Sequence, residues 1–249
     1  TMPLIPAPAG VLAADALWQQ DNPNDASTDT VALLCHPNPL FEGTMNNKVV
    51  TTMYRFARDN GMHVVRFNFR GVGQSTGEHD YADGEVLDAM TVLQWLSSQT
   101  NAGKIWLGGF SFGGYITARV AEQMLVSAHI WGLSDFEIAK VALISPSIEK
   151  NASDDISLPI EKTFEIYGNA DEVIEPANMQ AFAERLGIAV SVIDGAGHFF
   201  HGRLSELKNL LVQHSEGYSW CLKTKFKVWV IKTIFYNLCY RVYSPKLVF

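Results

Sequence analysis

The sequence predicts an α/β fold, a mostly parallel central sheet with helices on both faces. Short apolar runs alternate with stretches of helical periodicity, as crossover-connected strands require. At 249 residues, 47% hydrophobic and 18% charged, the chain can bury one large core. No internal repeat or low-complexity segment breaks the alternation.

The elements follow in order. Val31 to Cys35 is a continuous apolar run and reads as a buried strand. A helix is expected from about Asn46 to Asp59, with Val49, Met53 and Phe56 on one face. Asn60-Gly61 ends it, because Gly accepts the left-handed conformation that helix C-termini use. His63 to Phe69 is the next strand, and Glu85 to Leu96 a helix with Val86, Met90 and Leu93 aligned. Ile105 to Phe110 is a strand leading into a helix from Gly113 to Met124. Val141 to Ser145 is a strand stopped by Pro146, and Thr163 to Tyr167 another. Pro176 to Leu186 is a helix with Pro in its first turn. Val190 to Ile193 is the last strand, and Arg203 to Gln213 the last helix, with Leu204, Leu207 and Leu211 on one face. One domain, residues 1–216, accounts for all of these.

Residues 217–249 differ in kind. From 218 onward they hold six basic residues, no acidic one and nine of the 28 aromatics. That leaves thirteen basic against 26 acidic residues before them. The run Val228 to Tyr243 is interrupted by Lys232, Asn237 and Arg241, too short and polar for a bilayer span. An extension foreign to the domain is favoured over a membrane-surface segment.

The overall charge of −7 argues against nucleic acid as partner, since phosphate binding needs clustered Lys and Arg. Cys35, Cys221 and Cys239 are too scattered for a disulfide framework or a zinc site, which suits a reducing compartment. The first basic side chain is Lys48, and the apolar stretch Leu4 to Leu17 is broken by Pro6, Pro8 and Asp15. No signal peptide and a cytoplasmic location are expected.

Gly109-Phe110-Ser111-Phe112-Gly113 is a G-x-S-x-G motif between an expected strand and an expected helix. That context is the setting of a nucleophile elbow. The turn is so sharp that a Cβ at either motif glycine would meet neighbouring backbone. A serine hydroxyl needs a base. His198, in Gly195-Ala196-Gly197-His198, follows a strand end, where open α/β sheets place their ligands. His201 ranks below it, and His36 is expected to shape its loop. The base needs an acid to fix its tautomer. Asp171 follows the strand ending at Tyr167 and is preferred over Glu172 and Glu175. Ser111, Asp171 and His198 each fall after a separate strand, in the chain order of the α/β-hydrolases. The oxyanion would be held by the N–H of Phe112 and a second donor from His36-Pro37-Asn38-Pro39-Leu40. The prolines have no N–H, which leaves Asn38 or Leu40.

Two longer segments, His36 to Val50 and Phe67 to Gly77, resemble a small bacterial family of α/β-hydrolases near the dienelactone-hydrolase-like branch. With the elbow, acid and histidine segments the resemblance spans about residues 5–216. It implies Ser111, Asp171 and His198 as a triad and carboxylesterase-type hydrolysis. Such relatives usually carry His at the position of Asn38 and Gly at that of Glu42, and this chain departs at both. Dienelactone hydrolases themselves use Cys as nucleophile, so Ser111 argues against that activity.

The stretch Pro146 to Lys162 is polar and has no apolar helical face, so no large lid is expected there. Leu125 to Ile138 is either a small cap beside the site or core. Phe110, Phe112, Phe199 and Phe200 would make the surroundings apolar. The expected activity is hydrolysis of short acyl esters, small molecules, with no cofactor and no metal. The alternatives are thioesterase, amidase or peptidase work on the same triad, or a non-catalytic binding module.

Overall fold

The computed structural model describes residues 2–20, 26–151 and 153–215. The extension 217–249, with Cys221 and Cys239, lies outside the described residues.

Eight strands form one sheet: β1 (Leu4–Ala7), β2 (Gly10–Leu17), β3 (Thr30–Cys35), β4 (His63–Phe67), β5 (Lys104–Phe110), β6 (Glu137–Ile144), β7 (Thr163–Gly168) and β8 (Ala189–Ile193). Their spatial order is β1-β2-β4-β3-β5-β6-β7-β8. β1 and β2 are antiparallel, and every other pairing from β4 to β8 is parallel. The helices are α1 (Lys48–Asp59), α2 (Asp83–Ser97), α3 (Phe112–Ser127), α4 (Pro176–Leu186) and α5 (Leu204–Ser215).

The sheet divides two cores. On one face, Val49, Met53 and Phe56 of α1 and Leu207 and Leu211 of α5 pack with Trp106, Phe164 and Ile166. On the other, Met90 and Leu93 of α2, Ile116 and Val120 of α3 and Phe182 of α4 pack with Leu33, Val65 and Leu107. β3, buried along its whole length, is apolar at every position after Thr30 because both its faces meet helices.

The expected strands and helices are present, with shifted ends. The strand from His63 stops at Phe67: the Asn68 N–H still reaches the Ala13 carbonyl of β2 at 2.9 Å, but the Phe69 N–H leaves the ladder. Asn68 Oδ1 accepts the Met45 N–H at 2.9 Å, and the Phe69 N–H goes to His36 Nε2 at 3.0 Å. The β1–β2 hairpin is new. Pro6 is accommodated because β1 is an edge strand, where a missing N–H costs no ladder bond. Thr76 anchors the hairpin. Its Oγ1 accepts the Val11 N–H at 2.8 Å, and its N–H goes to the Val11 carbonyl at 2.9 Å.

The segment 125–138 does not cap the site. It begins in the last turn of α3, about 21 Å from Ser111 by helical rise, and runs into β6. Leu133 is buried there and Trp131 and Phe136 pack on the core, while Leu125, Val126 and Ile130 are exposed. Among the described residues between β6 and β7 the chain makes two short 3-10 turns, Ile148–Lys150 and Ile160–Lys162, and no helix longer than these.

Candidate active site

The parallel strands all end toward one edge of the sheet, and the loops leaving β3, β5, β7 and β8 meet there. Ser111 sits between β5 and α3 with φ 55° and ψ −121°, a conformation strained for a residue with a side chain. Both motif glycines are needed sterically. A Cβ on Gly109 would overlap the Gly113 carbonyl oxygen, and one on Gly113 would overlap the Cys35 carbonyl. The turn thus presses β5, the start of α3 and the end of β3 together, and lifts Ser111 above the sheet.

The loops after β7 and β8 pack on each other as closely. A Cβ on Gly168 would overlap the Ala196 carbonyl oxygen. The Ala170 N–H donates to Ala196 O at 3.0 Å, and the Gly195 N–H donates to Asn169 Oδ1 at 2.7 Å. This clasp brings Asp171 against His198. Asp171 Oδ2 lies 2.8 Å from His198 Nδ1, and His198 Nε2 lies 3.0 Å from Ser111 Oγ. All three side chains are largely buried. The three residues singled out from sequence therefore form one hydrogen-bonded row.

The electrostatics of the row follow from its bonds. Burial by itself would raise the Asp171 carboxyl. The bond from His198 and the N–H groups of Ile174 and Val173, both 2.9 Å from Oδ1, outweigh it and hold the group below the ordinary carboxylate value. With Asp171 ionised, the proton of a neutral His198 sits on Nδ1, and Nε2 is the acceptor facing Ser111 Oγ. Glu172, the sequence-level rival, instead accepts the backbone N–H of His198 at 3.2 Å. Glu175 stands at the N-cap position of α4 without a side-chain capping bond, and His201 is exposed, stacked on Phe199 with 5.9 Å between centroids.

His36 is fully buried and committed to structure. Its Nδ1 donates to Pro37 O at 2.6 Å, while Nε2 accepts from Phe69. Burial pulls its pKa down to about 4, partly offset by the Pro37 bond, so the ring stays neutral. Of the two loop donors left open by the sequence, Leu40 is occupied, its N–H going to Asn38 Oδ1 at 2.9 Å. The N–H groups of Asn38 and Phe112 have no acceptor among the described residues.

Ser111 and His198 open into a cavity of about 570 Å³. Phe112, Phe199, Val173 and Ile174 give it apolar walls, whereas Phe110 and Phe200 lie in the core. Sequence reasoning missed His79 and Tyr81, which line it from the loop before α2. His79 Nδ1 lies 2.9 Å from the buried Glu85. Among the described residues no group of His, Cys, Asp and Glu is arranged to hold a metal ion.

The chain as a whole is similar to known proteins. A family model described as the alpha/beta hydrolase fold matches residues 34–153. An α/β serine hydrolase without lid from Xanthomonas campestris superposes with a TM-score of 0.76 at 30% identity, over 90% of this chain and 96% of that one. An α/β serine hydrolase homologue from Coxiella burnetii gives 0.72 at 37% identity, over 86% and 96%. Uncharacterized protein RP471 of Rickettsia prowazekii is 36% identical over 193 residues, 73% of this chain and 76% of that protein. The chain is a hydrolase of the α/β-hydrolase family. Within that family it is similar to bacterial serine hydrolases, of which the Xanthomonas campestris protein is described as lacking a lid.

Proposed function

We propose that the protein is a serine carboxylesterase acting on short acyl esters. The observation that carries this reading is the unbroken row Asp171–His198–Ser111, at 2.8 and 3.0 Å, opening into an apolar-walled cavity.

His198 Nε2 takes the Ser111 proton as Oγ attacks the ester carbonyl. The developing oxyanion lies between the N–H groups of Phe112 and Asn38, where the N-terminal dipole of α3 adds to their field. His198 then gives the proton to the departing alcohol oxygen. Water, activated by the same imidazole, hydrolyses the acyl-enzyme and returns Ser111 to its starting state. Asp171 stays ionised and steadies the imidazolium in both halves. No step calls for a metal or an organic cofactor. A short acyl chain suits a cavity of this size with no lid segment above it.

Hydrolysis of p-nitrophenyl esters from acetate to laurate, by wild type and Ser111→Ala in parallel, tests the reading. The expected result is a short-chain optimum and a loss of roughly 10⁵-fold in the variant. Activity retained by a folded Ser111→Ala protein overturns the mechanism. A strong laurate preference overturns the chain-length assignment alone.

A further inference from the structure

The proposal concerns Glu42. It ends the short turn Pro39–Phe41 with φ 58° and ψ 23°, in the left-handed region that glycine occupies without steric cost. Its carboxylate takes no hydrogen bond or ion pair among the described residues, so the fold draws nothing from it. Yet it stands on the wall of the cavity that holds Ser111, which also carries two exposed rings. Phe41 is 83% exposed and Phe199 40% exposed, and both line the same cavity.

Position on the reaction path comes from a second cavity, of about 280 Å³, that adjoins the first. Glu42, Asn47 and Phe199 line both. Phe199 also lies edge-on to His198, with 5.0 Å between ring centroids. His198 is the group that protonates the departing oxygen, so this side of the cavity receives the alcohol half of the ester. Lys48 and His201 line only the adjoining cavity. Among the described residues no Lys or Arg lines the one containing Ser111.

A carboxylate that shares a cavity wall with exposed aromatic rings attracts an ammonium group by charge, and the negative ring faces add to it. The same carboxylate would repel a phosphate or carboxylate on the leaving alcohol. It would also have to be desolvated under a purely apolar one. The chain's net charge of −7 favours the approach of cations further. Resting on the esterase reading above, we infer that Glu42, with Phe41 and Phe199, selects esters whose alcohol carries a cationic ammonium group.

Two esters with one acyl chain and one shape isolate that charge: butyrylcholine and its uncharged isostere 3,3-dimethylbutyl butyrate. Release of butyrate by the full chain, followed by titration, is expected to give a kcat/KM ratio of about ten in favour of the choline ester at low salt. The ratio should fall toward unity in Glu42→Gln and at high ionic strength, and be partly kept in Glu42→Asp. A wild-type ratio of one or less, with Ser111-dependent turnover of both esters, overturns the cation site and leaves the esterase reading standing. So does a ratio unchanged in Glu42→Gln. Tetramethylammonium binding to Ser111→Ala protein, measured by calorimetry, separates the two claims. Binding that the added Glu42→Gln change abolishes upholds the site even where no ester is turned over. Absence of binding without turnover overturns it.

Discussion

Backbone strain in this molecule gathers at the residues around Ser111. Six non-glycine residues have positive φ among those described: Glu42, Tyr81, Ala82, Ser111, Ser145 and Phe200. Each costs about 1–3 kcal/mol unless local contacts compensate. Glu42, Tyr81 and Ser111 line the cavity itself, Phe200 is two residues past His198, and Ser145 directly follows the strand beside β5. Against that strain stand the bonds that fix the charged end of the row. Asp171 accepts from His198, Val173 and Ile174, so its geometry is set three times over. Asp171→Asn keeps the volume but not the charge. Its amide oxygen would stay with the two backbone N–H groups and turn an N–H toward His198 Nδ1. That favours the tautomer whose Nε2 carries the proton and cannot accept from Ser111. The expected result is a fall of about 10⁴-fold in kcat on p-nitrophenyl butyrate, in a protein that still unfolds cooperatively. A fall smaller than tenfold would mean that Asp171 does not set the tautomer.

At the scale of elements, the loop between β4 and α2 brings His79 and Tyr81 to the site, and two buried acids of α2 hold it. Glu85 accepts the N–H groups of Asp80 and Ala82 at 3.0 and 2.9 Å. Asp88, with no exposure, accepts the Arg70 backbone N–H at 2.9 Å and its guanidinium at 2.8 Å. Removing one partner of a buried pair leaves the other charge stranded, at a cost of about 3–5 kcal/mol. Asp88→Ala should therefore lower Tm by roughly 10 °C, and kcat/KM should suffer as Tyr81 loses its support. A Tm within 2 °C of wild type, by scanning calorimetry, would show that Arg70 finds other partners or water. These same elements mark what the sequence made legible. The inner strands were plain because burial on both faces requires unbroken apolar runs, as in β3. Ser111, Asp171 and His198 were plain because each follows such a run and sits beside glycines with a steric purpose. The β1–β2 hairpin was hidden by Pro6 and Pro8, which weaken a strand reading unless the strand is known to be an edge. The rim was hidden because the left-handed turns at Glu42 and Tyr81 carry no glycine. Side-chain bonds to nearby backbone hold them instead: Glu85 reaches back from α2 to the N–H of Ala82, and Asn38 folds the turn that ends at Glu42 through its bond to Leu40.

For the whole molecule, the parallel sheet that gathers the site at one edge also buries an acid in its interior. Glu165 lies mid-way along β7, opposite Leu143 of β6 and Val190 of β8. It is fully buried, and among the described residues neither carboxylate oxygen has a hydrogen-bond partner. Phe164 and Ile166 point to the opposite core. Burial without a partner raises the Glu165 carboxyl well above the ordinary value, so the folded chain keeps this proton to higher pH than the unfolded one does. The consequence for stability has a definite sign. An unfolded chain releases this proton above about pH 4.3, while the folded one keeps it. The unfolded state thus binds fewer protons, and this group's contribution to stability falls as pH rises from there through its folded pKa. Glu165→Leu removes both the titration and the unpaired oxygens. At pH 8 it should be more stable than wild type by about 1–3 kcal/mol, or roughly 2–10 °C in Tm. The advantage should shrink toward pH 5, where wild type no longer meets the ionisation penalty. Glu165→Gln should show the same flattened dependence at lower absolute stability, because its amide is still unpaired. Thermal unfolding of the three proteins from pH 5 to 8 decides the point, since every other titrating group cancels in the differences. Parallel curves would mean that Glu165 ionises normally, and that water or a moving side chain reaches it inside the sheet.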